Sequence, residues 1–142
     1  MSSFRNLVII GGGFIGVEFA DECKKIGNMN VTIIEKLEHC LMLSFDKEFS
    51  MVAEKILLDK NVNILCNEEV SEIAGNTDVE AIILKSGTKI EADAVIIGIG
   101  ASPNVEIARE AGIKIGDTGG IVVNQYMHTN DPKIYACGDC SE

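Results

Sequence analysis

The stretch that decides the fold is residues 7–35, which read LVIIGGGFIGVEFADECKKIGNMNVTIIE. It starts with a short apolar run that predicts a buried strand, followed by a glycine-rich turn that opens a helical segment. A second apolar run follows the helix and ends in an acid, Glu35. A strand, a glycine turn, a helix, a second strand and a terminal acid in this order are the fingerprint of a dinucleotide site.

Each glycine of the G-x-G-x-x-G turn has its own mechanical role. Gly11 permits a tight turn out of the strand, Gly13 leaves room for a pyrophosphate, and Gly16 lets the helix pack closely on the strand. The N–H groups and the positive dipole end at the helix N-terminus favour phosphate. Glu35 lies where a carboxylate accepts ribose hydroxyls and repels a 2′-phosphate, which predicts a preference for NADH over NADPH. The alternative for Glu35 is an ordinary solvated acid at a strand end.

Composition narrows the class of protein. The chain has 142 residues, of which 46% are hydrophobic, and a formal net charge of −10. Its length suits one domain, and so acidic a surface disfavours nucleic acid as a partner. We expect no membrane segment, because no apolar run is long enough to span a bilayer. Residues 1–6 lack the pattern of a signal peptide, so the expected location is cytoplasmic.

The cysteines predict neither a disulfide framework nor a metal site. There are five of them, an odd number with irregular spacing, and the expected compartment is reducing. Cys137 and Cys140 have C-x-x-C spacing, but a zinc site needs two more ligands and the two histidines have no helpful spacing. We therefore expect these thiols to be incidental and the chain to hold no metal.

Hydrophobic periodicity predicts two amphipathic helices on the first part of the chain. The first spans residues 14–26, with a predicted buried stripe of Ile15, Phe19, Cys23 and Ile26. The second spans residues 45–59 after an N-cap at Ser44, with a predicted buried face of Phe49, Val52, Ala53, Ile56 and Leu57. A third strand at residues 62–66 completes a β-α-β-α-β order. That order favours an α/β, Rossmann-like parallel sheet with helices on both faces.

The pattern then changes from helical to antiparallel. The turn signal Ser86-Gly87-Thr88 separates segments 79–85 and 89–91, and with residues 69–73 these segments predict a small antiparallel β-meander. The remaining predicted elements are a strand at 94–99, a helix at 105–111, and two short strands at 121–123 and 134–136.

Four separated motifs together resemble a known family. They are GGGFIGVE at 11–18, SFDKE at 44–48, GASPN at 100–104 and TNDPKIYACGD at 129–139. In combination they closely resemble the nicotinamide-binding domain of the FAD-dependent pyridine nucleotide–disulfide oxidoreductases. The nearest branch contains NADH oxidases, coenzyme A-disulfide reductases, NADH–rubredoxin reductases and nitrite reductases. The resemblance extends over nearly the whole chain.

The resemblance implies a set of cofactor-binding residues: Gly11, Gly13, Phe14, Ile15, Gly16, Glu18, Glu35, Ser44, Gly100 and Asp139. It places Glu18 near the nicotinamide end of the site, although an exposed helix charge is the alternative. It places Ser44 near the adenosine side, where helix capping explains the residue equally well. Gly100 matches a glycine beside the nicotinamide ring, and Asp139 matches an aspartate that touches the flavin ribityl chain. No catalytic residue is expected in this chain.

The resemblance also implies an activity and a domain organisation. Residues 1–125 are expected to bind NAD, and residues 126–142 to return towards an FAD-binding domain. A full-length enzyme with FAD-binding and dimerisation domains would deliver hydride from NADH to FAD, as a homodimer, and the isolated chain would be inactive. The electron acceptor is left open among a disulfide, oxygen, peroxide, rubredoxin and a nitrite reductase centre. The alternative is a stand-alone NAD-binding regulatory or electron-transfer subunit without its own catalysis.

Overall fold

The computed structural model describes residues 4–27 and 29–142. Residues 1–3 and residue 28 lie outside that description. The first three belong to residues 1–6, where the sequence predicts no signal peptide. The chain divides into two compact units, Met1–Gly100 and Ala101–Glu142. The predicted functional boundary after residue 125 remains a prediction.

Ten elements follow one another along the chain: β1 (Asn6–Ile10), α1 (Phe14–Ile26), β2 (Asn30–Ile34), α2 (Lys47–Asp59), β3 (Val62–Leu65), β4 (Val70–Gly75), β5 (Val79–Leu84), β6 (Lys89–Glu91), β7 (Ala94–Ile97) and α3 (Glu106–Glu110). Four strands form a parallel sheet in the order β3-β2-β1-β7, and β4-β5-β6 form an antiparallel meander. The predicted fold class, a parallel α/β sheet with a small antiparallel meander, is confirmed.

The parallel sheet is covered by helices on one face and by the meander on the other. Ile9 of β1 belongs to a core cluster with Ala20 of α1 and Leu57 of α2. Its neighbour Val8 points to the opposite face and belongs to a cluster with Ile82 of β5. Both long helices therefore lie on one face, not on both faces as expected, because the meander supplies the apolar cover that the second face requires.

Helix α1 has the predicted bounds but not the predicted buried face. Three of its four predicted core residues are exposed: Ile15, Phe19 and Ile26. Its buried residues are Gly16 and Ala20, and Cys23 packs partly buried against the core. Small residues face the sheet because the helix approaches very closely. A Cβ on Gly16 would lie only 1.9 Å from the carbonyl oxygen of Gly11.

Helix α2 differs from the prediction in its start and in its buried face. It begins at Lys47, and the N-cap is Asp46, so Ser44 does not cap it. Ser50 and Leu57 are its buried residues, and because they are two turns apart they share one side of the helix. Three residues of the predicted buried face point away from that side and are exposed: Phe49, Val52 and Ile56.

The second unit contains α3 and a small core of its own. That core consists of Val105, Ile113 and Ile121 with partly buried neighbours. The two strands predicted at 121–123 and 134–136 do not form as regular strands. The residues of these segments make isolated bridges instead: Ile115 with Ile121, Ile121 with Ser141, and His128 with Tyr135. Most backbone hydrogen bonds of the unit belong to turns and loops, which leaves no continuous ladder for a strand.

Within residues 4–27 and 29–142, no helix has both the length and the apolar character needed to cross a bilayer.

Candidate functional site

A cavity of about 720 Å³ lies at the carboxyl ends of the parallel strands. This is the edge at which open α/β sheets bind ligands. The lining comes from the glycine turn, the loop after β2, the start of β4 and the segment after β7: residues 10–15, 34–37, 39, 41–44, 68–70 and 98–100.

The predicted glycines occupy two kinds of surroundings. Gly11 has a φ of +103°, which favours glycine, and a Cβ there would lie 2.4 Å from the carbonyl oxygen of Gly98. Gly16 lies beneath the turn and is equally confined by the carbonyl of Gly11. Gly13 is different, because a Cβ there would meet nothing within 4 Å. Gly11 and Gly16 are therefore required for packing, whereas the space beside Gly13 is free for a ligand.

Gly12 is a site residue that the motif did not identify. Its N–H donates to Oε2 of Glu35 at 2.6 Å, and its carbonyl accepts from the N–H of Leu41 at 2.8 Å. A Cβ on Gly12 would lie 2.6 Å from Sγ of Cys40. The run of three glycines in the sequence was the available signal, because the motif requires only the first and third of them.

Helix α1 presents an uncapped N-terminus to the cavity. Its N-cap is Gly13, which offers no side-chain acceptor, and no acidic residue lies in the first turn. The first N–H groups of an α-helix have no partner within the helix, so they are available to an anion. Phe14 and Ile15 line the cavity with exposed side chains. The Phe14 ring makes an edge contact with Phe45 at a centroid distance of 5.6 Å.

The carboxylate of Glu35 accepts one backbone hydrogen bond on each of its two oxygens. Oε2 accepts from Gly12 N–H, and Oε1 accepts from Leu37 N–H at 2.8 Å. Glu35 is partly buried and lines the cavity. Each oxygen keeps a lone pair, because a carboxylate offers about four acceptor positions. This geometry differs from the alternative of an acid that extends freely into solvent.

The other predicted residues are distributed unevenly. Ser44 and Gly100 line the cavity, and capping no longer explains Ser44, since Asp46 is the cap of α2. Glu18 lies exposed on α1 and is not part of the lining. Asp139 is exposed in the second unit.

Acids outnumber cations around the cavity. Lys36 is the only lysine or arginine in the lining formed by the described residues, and its side chain is 72% exposed. Its Nζ lies 3.9 Å from Glu69, which also pairs with Lys85 at 2.8 Å. The hydrogen bond from Lys85, with a smaller attraction from Lys36, lowers the pKa of Glu69. Among the described residues of the lining, Lys36 is therefore the single lysine or arginine near Glu35, and no arginine lies beside that carboxylate.

Comparison with known proteins agrees with this geometry. The chain is 41% identical over 138 residues to an NAD(P)H coenzyme A polysulfide/persulfide reductase of Pyrococcus horikoshii. It is also 35% identical over 136 residues to an NADH oxidase of Enterococcus faecalis. These alignments cover 97% and 95% of this chain but only 30% of each relative. The chain therefore spans about a third of the length of the curated relatives that it matches.

Solved structures give the same result. A NAD-dependent persulfide reductase from A. fulgidus superimposes with a TM-score of 0.91 at 38% identity, over 98% of this chain and 26% of that one. A water-forming NADH oxidase from Lactobacillus brevis, bound to NADH, gives a TM-score of 0.88 at 26% identity, over 98% and 30% of the two chains. The family pattern described as pyridine nucleotide-disulphide oxidoreductase matches residues 2–142. The predicted resemblance is confirmed, and the chain belongs to the pyridine nucleotide-disulphide oxidoreductase family.

Proposed function

We propose that the cavity beside the glycine turn binds NADH. The uncapped N-terminus of α1 faces it, and the space next to Gly13 is free of protein atoms within 4 Å of a Cβ position. That space fits a pyrophosphate, whose negative charge the N–H groups and helix dipole would stabilise. Gly11, Gly13, Phe14, Ile15 and the backbone around them would hold this part of the cofactor.

The observation that carries the proposal is the fixed carboxylate of Glu35. It lines the cavity while two backbone N–H groups hold it in place. Its remaining lone pairs would accept ribose hydroxyls, at roughly 1.5–3 kcal/mol for each charge-assisted hydrogen bond. A 2′-phosphate would meet the same negative charge, with no arginine in the described lining and with Lys36 as its single lysine. The site is therefore proposed to prefer NADH to NADPH.

In a longer protein, this chain would present NADH to a flavin. The nicotinamide ring supplies a hydride, and a flavin accepts it. We propose that Gly100 lies beside the nicotinamide, and that Asp139 contributes to FAD binding together with a separate FAD-binding domain. Such an enzyme would be a cytoplasmic homodimer with a dimerisation domain, and its electron acceptor would be set by those other domains. Glu18 keeps its proposed place near the nicotinamide, although the cavity lining does not include it.

The stand-alone alternative, a regulatory or electron-transfer subunit without its own catalysis, is not favoured. The relatives that match this chain are described as reductases and oxidases, and one as an electron transfer subunit of an assimilatory nitrate reductase. No observation on the described residues points to a regulatory role separate from electron transfer.

The proposal is tested by calorimetric titration of the chain with NADH and with NADPH. We expect NADH to bind more tightly. ADP-ribose should compete with NADH, and its 2′-phosphorylated analogue should compete less well, because Glu35 faces the ribose. Equal or tighter binding of NADPH would overturn the proposed preference. Absence of NADH binding by a folded chain would overturn the proposed site.

A reconstitution experiment tests flavin binding separately from NADH binding. After reconstitution with FAD and gel filtration, we expect the chain to carry no flavin absorbance and to show no diaphorase activity. The few contacts that Asp139 could provide are too small to offset the several kcal/mol of lost rotational and translational freedom on binding. A stoichiometric yellow complex that oxidises NADH would show that the chain is an enzyme by itself.

A further inference from the structure

Two thiols and a carboxylate converge on the buried side of the glycine turn, where a Cβ on Gly12 would lie within 3.1 Å of both Cys40 Sγ and Glu35 Oε2. They belong to Cys40 in the loop after β2, Glu54 on α2 and Cys66 just after β3. One potential ligand atom from each residue lies within 4.8 Å of the other two. Cys40 is fully buried, and Glu54 and Cys66 are partly buried. The C-x-x-C pair near the end of the chain is not part of this cluster.

Hydrogen bonds position the central carboxylate of this cluster. Oε1 of Glu54 accepts from the backbone N–H of Cys40 at 2.8 Å and from the thiol of Cys66 at 3.4 Å. Its other oxygen lies 2.9 Å from Nδ1 of His39. Carboxylates that ligate metals in proteins are themselves hydrogen-bonded by outer partners, a role that His39 could take here. No lysine or arginine among the described residues pairs with Glu54.

The backbone around the cluster is already fixed. The N–H of Glu35 donates to the carbonyl of Leu65, the N–H of Asn67 donates to Leu37, and the N–H of Glu68 donates back to Glu35, all at 2.8–3.0 Å. These bonds tie the loop that carries Cys40 to the end of β3, where Cys66 lies. The three side chains are therefore held together by segments that cannot easily separate.

We propose that Cys40, Glu54 and Cys66 bind a thiophilic divalent cation with a filled d shell, of which Zn²⁺ is the physiological example. Two thiolates and a carboxylate suit this ion. Around a tetrahedral ion, with sulfur at about 2.3 Å and oxygen at about 2.0–2.2 Å, the sulfur and oxygen ligand atoms lie roughly 3.5–3.7 Å apart. The distance between Cys66 Sγ and Glu54 Oε1 is 3.4 Å, close to that value.

The binding step is not a redox step. Two S–H bonds break, two metal–sulfur bonds form, and two protons pass to solvent, while every atom keeps its oxidation state. Burial, together with neighbouring Cys66 and Glu54, raises the pKa of Cys40. Burial and the Glu54 carboxylate raise the pKa of Cys66 to about 11. These thiols are poor nucleophiles, which disfavours a redox role, and the positive charge of a bound cation would oppose both shifts.

The ion would have a structural role beneath the cofactor site. Sγ of Cys40 lies next to Gly12, and Leu41 donates to the Gly12 carbonyl. A cation bound by Cys40, Glu54 and Cys66 would join the loop after β2, helix α2 and the end of β3. It would thereby support the floor of the glycine turn without entering the cavity.

The experiment uses Cd²⁺ alone as the probe, because thiolate-to-Cd²⁺ charge transfer gives an ultraviolet band that reports sulfur ligands. The double variant Cys137→Ser with Cys140→Ser removes the exposed C-x-x-C pair and serves as the parent. We expect it to bind one Cd²⁺ per chain with the charge-transfer band. Adding Cys66→Ser leaves Cys40 as the one sulfur ligand and should therefore reduce the band of the bound ion by about half and weaken binding by about 100-fold or more, since even outer-shell changes cost 10–100-fold. Adding Cys23→Ser, on α1, should change neither.

Glu54→Gln provides a second variant that keeps the shape of the side chain. It should retain the charge-transfer band but weaken Cd²⁺ binding, and circular dichroism checks that each variant is folded. A parent that binds no stoichiometric Cd²⁺, or a Cys66→Ser variant that binds it as tightly as the parent, would overturn the proposal. Neither result bears on NADH titration of the same variants, so failure of the cation site is distinguishable from failure of the proposed function.

Discussion

Glu35 and Asp93 are two carboxylates at opposite ends of the same parallel sheet. Glu35 follows β2 at the carboxyl ends of the strands and accepts from the N–H groups of Gly12 and Leu37. Asp93 precedes β7 at the amino ends and accepts from the N–H groups of Arg5 and Asn6 at 2.9 and 2.7 Å. Glu35 accepts one bond on each oxygen and Asp93 accepts both on Oδ2, and of the two acids only Glu35 lines the cavity.

The difference indicates that the position of an acid in the sheet would separate the proposed binding role of Glu35 from the structural role of Asp93. At the amino ends, Asp93 joins the starts of β1 and β7. At the carboxyl ends, the strands stop around a glycine turn that leaves space for a ligand. Changes at the two ends should therefore separate stability from cofactor affinity, and the following predictions test that separation.

The largest effect is expected when the close packing of α1 beneath the glycine turn is disrupted at the carboxyl ends of the strands. Gly16→Val places a Cβ 1.9 Å from a backbone carbonyl oxygen, which cannot move aside like a flexible side chain. We expect a loss of more than about 3 kcal/mol in the free energy of unfolding, above the usual cost of overpacking, as measured by urea denaturation. Gly27→Ala is the control, since a Cβ there meets nothing within 4 Å. Equal stability of the two variants would refute the close approach of α1.

Gly13→Val should remove binding while the fold persists. Gly13 has a φ of −74°, which any residue adopts, so the cost is that of a poorer N-cap, about 0.5–2 kcal/mol. The branched side chain would occupy the space proposed for the pyrophosphate. We expect no measurable NADH binding by calorimetry and nearly unchanged circular dichroism. NADH binding at wild-type affinity would show that Gly13 does not line the site.

Glu35→Ala should have an intermediate effect that is specific to the ligand. We expect NADH affinity to fall by about 1–3 kcal/mol, roughly 5- to 150-fold, through lost hydrogen bonds, while NADPH affinity changes less. The gap between the two cofactors would narrow. Asp93→Ala is the matched control, because it removes a carboxylate with the same number of backbone partners from the other end of the sheet. An equal loss of NADH affinity in both variants would contradict the distinction drawn between the two ends.

The smallest effect is expected for Asp93→Asn; it is present near neutral pH and disappears in acid. The backbone N–H of Asn6, and then that of Arg5, lowers the pKa of Asp93 below its usual 3.8. A carboxyl with a lowered folded pKa stabilises the fold above its unfolded pKa, and that contribution is lost as the pH falls through the folded value. We therefore expect the Tm of the wild type to fall more steeply below about pH 4 than that of the variant. Parallel curves would show that Asp93 contributes nothing through its charge.

The sequence predicted the order of elements well because the order rests on local signals. The bounds of α1 agree with the structure, since a glycine turn opens it and Gly27 ends it. The buried faces of the helices were predicted poorly. The prediction placed the large apolar residues Phe19 and Phe49 in the core, but both are exposed. The small residues Gly16 and Ser50 are buried instead, because the helices pack closely on the sheet. Packing distance is a property of two elements together and is not encoded in the periodicity of one.

The candidate site was predictable only where a motif names its residues. Gly11, Gly13 and Glu35 follow from the fingerprint, but the bond between Gly12 and Glu35 joins residues 23 positions apart. The cluster of Cys40, Glu54 and Cys66 depends on contacts across 14 and 12 positions, with no regular spacing to reveal it. Side-chain contacts between separate elements appear only when the chain is folded.

The clamped carboxylate of Glu35 has a consequence for how the site discriminates. Ordering a glutamate side chain costs up to about 1.5–2 kcal/mol of conformational entropy, and here two backbone donors impose that order during folding. A diol arriving at Glu35 would therefore meet acceptors that need not be ordered again, and its binding keeps the full gain of each new bond. A 2′-phosphate at the same place would be repelled by the carboxylate of Glu35. The side chain could move away from the phosphate only by breaking both of its backbone hydrogen bonds. The fixed position of the Glu35 side chain would therefore both strengthen binding of a ribose diol and weaken binding of a 2′-phosphate.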